Sequence, residues 1–166
     1  MAEEAAAGFE YLDHTADVQI HSWGEDFSAA LSHGIVGMMN YMTDVSKVKK
    51  ERCVSVSVNG HDALSLVYNF FNEWLYQFNG EEMVFCEVCV DRIDLKSFRI
   101  EARGFGEVFD VSRHPQGTEI KAITYSAMQV HGVPGQESFV NGEYASEYEK
   151  PKFTGDGCHI FVVVDI

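Results

Sequence analysis

Residues 62–80, Asp-Ala-Leu-Ser-Leu-Val-Tyr-Asn-Phe-Phe-Asn-Glu-Trp-Leu-Tyr-Gln-Phe-Asn-Gly, decide how the rest of the chain is read. Leu64, Val67, Phe70, Phe71, Trp74, Leu75 and Phe78 recur at three- and four-residue intervals. That is one broad apolar stripe on a helix. Asp62 suits the N-cap, where its carboxylate can accept the unsatisfied first-turn amides. Asn79-Gly80 marks the end. A helix this apolar on one side needs a large surface to cover it.

The surface is supplied on both sides in sequence. Upstream, Val54, Val56 and Val58 alternate with Ser55 and Ser57, the pattern of a half-buried strand closed by Asn59-Gly60. Before it lies a second helical stripe: Phe27, Ala30, Leu31, Ile35, Met38 and Met42, with Asp26 as N-cap, giving a helix over 26–43. Gly34 and Gly37 weaken its propensity but would let it approach a sheet closely. Residues 16–23 alternate and read as a strand that Gly24 ends. Downstream, 84–93, 97–103, 105–111, 119–130 and 159–165 are rich in β-branched and aromatic residues and read as strands. Asp94 to Ser97 suits a hairpin connection, and His114-Pro115-Gln116-Gly117 a turn. The expected class is α+β: two amphipathic helices packed on a mainly antiparallel β-sheet.

The chain has 166 residues, 46% of them hydrophobic, which suits a single domain over 9–166. Residues 1–8 are expected to be a flexible tail without a secretory pattern. Residues 131–158 are rich in Gly and Pro and lack periodicity, so they read as a long surface loop. No stretch approaches the ~20 apolar residues that cross a bilayer. The expected compartment is intracellular, cytoplasm or nucleus.

With 26 acidic against 12 basic residues the net charge is −14. Clustered Lys and Arg are what displace counterions from nucleic acid, so tight direct binding to RNA is disfavoured. A basic protein partner or a cation fits better. The four cysteines read as reduced thiols. Cys86 and Cys89 form one CxxC pair, but no second pair completes a zinc set. Enzyme motifs are absent: no phosphate-cradling loop, no nucleophile elbow, no paired metal-binding histidines.

Two short polar stretches stand out. Asp13-His14-Thr15-Ala16-Asp17 is polar among apolar neighbours, although turn chemistry alone accounts for such residues. At the other end, Val162-Val163-Val164 reads as a buried strand that delivers Asp165 and the α-carboxylate of Ile166 to one place. Anions held side by side repel unless a cation sits between them. Hard oxygen donors of this kind suit Ca²⁺, Mg²⁺ or Mn²⁺. Lys121 is the cation of the polar stretch after the 114–117 turn. It could neutralise a carboxylate or meet a partner.

These segments together resemble the archease family. The resemblance rests on Tyr11-Leu12-Asp13-His14-Thr15-Ala16-Asp17, on Asn72-Glu73-Trp74-Leu75, on the run from His114 to Val130, and on Phe161-Val162-Val163-Val164-Asp165-Ile166. It spans about 9–130 and 159–166, and the connection at 131–158 departs from it. The resemblance implies a non-enzymatic cofactor of the GTP-dependent ligase that joins tRNA exon halves, promoting its guanylylation and multiple turnover. It also implies a bound divalent ion, Ca²⁺ foremost, held by Asp17, Asp165 and Ile166. Asp13, His14 and Lys121 become candidates for supporting that site or meeting the partner. The main rival is a chaperone-like interaction module whose metal is purely structural. A small phosphate-processing enzyme and an RNA-binding module are further alternatives.

Overall fold

The helical stripe of residues 62–80 folds as read. In the computed structural model, which describes residues 6–13, 17–133, 139–140 and 157–166, helix α2 runs Ala63–Asn79. Its first turn is closed by a reciprocal cap. The Asp62 carboxylate accepts from the Ser65 N–H at 2.7 Å, and the Ser65 hydroxyl oxygen accepts from the Asp62 N–H at 3.1 Å. Asp62→Ala removes one half of this cap. It should cost about 1 kcal/mol, read as a lower urea midpoint with an unchanged slope. Helix α1, Phe27–Met42, is capped by Asp26, which accepts from the Ala29 N–H at 2.8 Å. The closeness expected at its glycines is present. A Cβ on Gly34 would lie 2.7 Å from the Phe71 ring and 2.9 Å from Ser22 Oγ, so α1 rests almost directly on α2 and a strand.

Among the described residues there are nine strands: β1 Gly8–Asp13, β2 Asp17–Gly24, β3 Arg52–Asn59, β4 Met83–Asp94, β5 Arg99–Val108, β6 Ala122–Ile123, β7 Gln129–His131, β8 Phe139–Val140 and β9 Cys158–Asp165. Every pairing is antiparallel. They form two sheets rather than one. The first has the order β1-β2-β9-β7-β8, with β6 also paired to β9; the second is β3-β5-β4. Helix α1 packs chiefly on β2 and β4, bridging the two sheets, and also on β1 and β9, while α2 packs on β3, β4 and β6 and reaches β5, β7 and β8. The α+β class therefore stands.

Several expectations are corrected. A strand, β1, precedes the one read at 16–23; Tyr11 there donates its hydroxyl to the Gly37 carbonyl at 2.7 Å. The runs 97–103 and 105–111 are one strand, β5, ending at Val108. The run 119–130 is mostly irregular, keeping only β6 and the start of β7, because Ala127 adopts a left-handed φ of 58° that no strand continues through. Part of the 131–158 connection pairs with the sheet: Gln129 lies opposite Val140, and Val130 opposite Phe139. Residues 134–138 and 141–156, like 1–5, fall outside the described residues. No described helix is long and apolar enough to cross a membrane.

Candidate metal centre

Strand β9 carries seven consecutive buried residues from Cys158 to Val164, then the exposed Asp165. Both neighbours of a central strand fix its register, so the position of Asp165 is not free. Across β2 the pairing runs unbroken from Gly24↔Cys158 to Asp17↔Asp165. Asp17 and Asp165 are thus direct cross-strand partners. In an antiparallel ladder such partners project from the same face, with Cβ atoms about 4.5–5.5 Å apart.

The other side of Asp165 is occupied by β6. Ala122 pairs with Asp165, and the Lys121 N–H donates to the Asp165 carbonyl at 2.8 Å. The exposed Lys121 therefore sits at the same sheet end as the two aspartates. Ile166, half-buried, follows directly and packs against the core. Asp13 lies opposite Val18, one register step from Asp17, at that end too. Only its backbone is described, and His14 lies outside the described residues.

Two carboxylates facing each other on adjacent strands destabilise a sheet. A hard divalent cation between them removes the repulsion, and carboxylate oxygens are the donors such ions take. The donor chemistry fits Ca²⁺, Mg²⁺ or Mn²⁺. Among the described residues no three His, Cys, Asp or Glu side chains converge as a ligand set. Asp17 and Asp165 would need completion by other oxygens.

The same architecture is found in known proteins. The model of the Archease protein family (MTH1598/TM1083) matches residues 9–166. The chain belongs to the archease family. It is 47% identical over 133 residues to protein archease of Danio rerio, covering 80% of this chain and 82% of that protein. With the archease-like protein of Drosophila melanogaster it shares 39% identity over 159 residues, 95% of this chain and 90% of the relative. Pyrococcus abyssi protein archease is 33% identical over 128 residues, 76% of this chain and 89% of the relative. Among solved structures, the solution structure of Methanobacterium thermoautotrophicum protein 1598 superposes with a TM-score of 0.67 at 22% identity, covering 96% of this chain and 99% of that one. That likeness supports the archease fold alone.

What holds Lys121 in this archease chain was not legible in sequence. The segment before it is stitched to the end of α1: Gly117 N–H donates to the Met42 carbonyl at 2.8 Å, Thr118 N–H to the Tyr41 carbonyl at 3.1 Å, and the Thr43 hydroxyl to the Pro115 carbonyl at 2.7 Å. Asn79, at the end of α2, donates to the Ile120 carbonyl at 3.3 Å. Below the stitches Glu107 and His114 are buried together, Glu107 being only 2% exposed. The Glu107 carboxylate accepts from the Lys49 N–H at 2.6 Å, faces His114 Nε2 at 3.3 Å and pairs with Arg113. His114 is thus a structural anchor rather than an exposed turn residue.

Three further histidines are buried on strands. His21, His131 and His159 are buried on β2, β7 and β9. His21 Nδ1 lies 2.9 Å from Glu10 Oε1, and its Nε2 lies 3.0 Å from His159 Nδ1. All four cysteines are free thiols. Burial pushes the Cys158 thiol up to about 12 and raises that of Cys86, the opposite of activation. A register shift between Phe85 and Glu87 puts Cys86 into β4 as an extra residue. Simple alternation therefore does not decide the faces of Cys86 and Cys89.

Proposed function

We propose that this chain is a non-enzymatic, metal-binding cofactor of the GTP-dependent tRNA-splicing RNA ligase, promoting ligase guanylylation and repeated turnover. The observation that carries the reading is the cross-strand pairing of Asp17 with Asp165. Family membership supports an accessory role beside RNA ligase machinery in general. Asp17, Asp165 and the α-carboxylate that Ile166 carries in this chain are the proposed ligands. Asp13, His14 and Lys121 are the proposed surroundings or partner contacts.

A divalent ion held there would supply the phosphate-charge neutralisation that guanylyl transfer from GTP requires. The chain's own residues have a positional task. The β2–β9 ladder fixes the two carboxylates at an exposed sheet end. The stitched segment ending at Lys121 brings a cation to the same sheet end, with Ala122 as the residue directly across from Asp165. A body of net charge −14 is attracted to a basic protein surface rather than to RNA.

Three measurements test this. Purified ligase is labelled with GTP in the presence of the wild-type chain or Asp165→Ala; wild type should raise the guanylylated fraction, and the variant should not. Equal stimulation by both rules the ligand role out. Separately, residues appended after Ile166 should weaken Ca²⁺ binding in calorimetry, and unchanged affinity would remove that carboxylate from the set. If metal removal lowers the melting temperature yet leaves stimulation intact, the structural-metal alternative stands instead.

A further inference from the structure

Strand β2 presents two rows of side chains. Val18, Ile20 and Ser22 face the helices: Ser22 Oγ stands against Gly34 and donates to the Ala30 carbonyl at 2.8 Å. Asp17, Gln19, His21 and Trp23 alternate with them and share the opposite face. The unbroken register carries this face onto β9, where Asp165 lies across from Asp17, Val163 from Gln19 and Phe161 from His21. Leu12 of β1 lies across from Gln19 on its other side. Gln19 is therefore the next residue along this face after the two aspartates.

Gln19 is only 1% exposed, and its Nε2 has no hydrogen-bond partner among the described residues. A buried carboxamide in that state calls for a ligand or an ordered water. Its neighbours narrow the choice. Val163 and Leu12 are apolar. His21 has Nδ1 2.9 Å from Glu10 and Nε2 3.0 Å from His159, and Phe161 stacks on its ring at 4.1 Å between centroids. In the other direction the next side chains on this face are Asp17 and Asp165. Successive residues on one face of a strand are roughly 7 Å apart. Diagonal neighbours on paired strands are about 7–8 Å apart, within reach of a long side chain. Gln129 is the other buried carboxamide with an unpartnered Nε2, but its oxygen lies 2.9 Å from His131 Nε2 and it pairs with Phe161, away from the carboxylates.

We infer that Gln19 is an ion ligand: its carboxamide oxygen joins the Asp17–Asp165 pair on the cation, and its N–H₂ finds an acceptor in one of the two carboxylates. The inference rests on the metal reading proposed above and adds selectivity to it. Two aspartates fall short of the roughly six to eight oxygens that Ca²⁺ takes, and carboxamide carbonyls are among its ordinary donors. Mg²⁺ keeps several of its waters and gains little from a further neutral donor. Gln19 therefore favours Ca²⁺ over Mg²⁺.

The test compares the full wild-type chain with Gln19→Leu, which keeps most of the bulk and removes both polar ends, and with Asp165→Ala. Leucine deletes an unsatisfied buried donor, so the ion-free variant should unfold at a urea midpoint equal to or above that of wild type. Its Ca²⁺ affinity in calorimetry should fall about tenfold or more, the scale of losing a supporting group at a metal site. Its Mg²⁺ affinity should change less. Tb³⁺, a luminescent stand-in for Ca²⁺, reports the waters on the ion through its decay in H₂O and D₂O. Gln19→Leu should carry about one more water than wild type, because solvent fills the position the oxygen leaves. Equal Ca²⁺ affinity and equal hydration in wild type and Gln19→Leu, with weak binding by Asp165→Ala, overturns this inference and leaves the aspartate site standing. Absence of binding by wild type removes both. A lower midpoint for ion-free Gln19→Leu, with unchanged hydration of bound Tb³⁺, makes Gln19 a packing residue and also overturns the inference.

Discussion

Trp74→Ala should lower stability by about 3–5 kcal/mol, a fall in melting temperature of roughly 10 °C or more for a domain of this size. Trp74 is fully buried on α2, edge-on to Phe85 at 4.8 Å and to Phe70 at 6.2 Å between ring centroids. Its indole occupies a notch that exists only because residue 104 is glycine. A Cβ there would lie 2.6 Å from the indole and 2.8 Å from the Phe85 ring. Truncation leaves a cavity whose β-sheet floor cannot collapse inward. The indole N–H is buried with no partner among the described residues, so Trp74→Phe removes an unsatisfied donor along with volume. It should cost much less than the alanine change. Gly104→Ala alone should destabilise by steric conflict, yet be tolerated better in the Trp74→Phe background. Chemical denaturation of the four proteins measures the coupling. Strict additivity would show that Gly104 and Trp74 are not fitted to each other.

The notch illustrates what sequence could and could not reveal. Trp74 announces itself through its place in the stripe Phe70, Phe71, Trp74, Leu75, because helical periodicity is local. The need for glycine at 104 comes from a contact between distant segments, and no local pattern encodes it. The same division holds at the candidate metal centre. Asp165 after three valines reads directly as a charge delivered by a buried strand. That it faces Asp17 depends on the β2–β9 register, a pairing between chain ends. The expectation of a meeting place came from the resemblance and from the convergence of carboxylates; the ladder supplies the alignment. Strand β1 has local signal, since Phe9 and Tyr11 alternate with Glu10 and Leu12, but its six residues between an Ala- and Glu-rich start and the polar 13–17 stretch are too few for the pattern to stand out. The 119–130 run departs from a continuous strand for a physical reason. It meets β9 in two short pieces, β6 with its flanking bonds at Lys121 and Thr124 and then β7, and the left-handed Ala127 breaks the ladder between them. Its β-branched residues line a core without completing a strand.

Glu107 was least visible of all, because a glutamate near the end of an alternating strand reads as solvent-facing. Its replacement by alanine should cost about 1–3 kcal/mol, since it leaves the donors that met a buried carboxylate without their acceptor, while the half-exposed Arg113 keeps Asp110 at 3.7 Å. The Lys49 N–H would lose its acceptor and Arg113 its carboxylate. His114 would also lose its partner: its Nδ1 accepts from the Asp110 N–H at 2.9 Å, which leaves Nε2 to face Glu107 at 3.3 Å. The Lys49 N–H, acting against burial and aided by His114 and Arg113, holds the Glu107 carboxyl below the usual glutamate range. A group whose folded-state pKa is depressed contributes stability above its ordinary value, about 4.3, and loses it as pH falls through the depressed one. Wild-type stability should therefore drop on acidification below that range, and Glu107→Gln should show a shallower drop while costing less at neutral pH. Urea denaturation from pH 7 to pH 3 measures both. Parallel curves for wild type and Glu107→Gln would mean that the carboxylate's charge contributes nothing. The consequence extends beyond stability, because this cluster lies beneath the segment that carries Lys121 to Asp165. Glu107→Ala should loosen that segment, and hydrogen exchange at the Lys121 amide should quicken before global unfolding does.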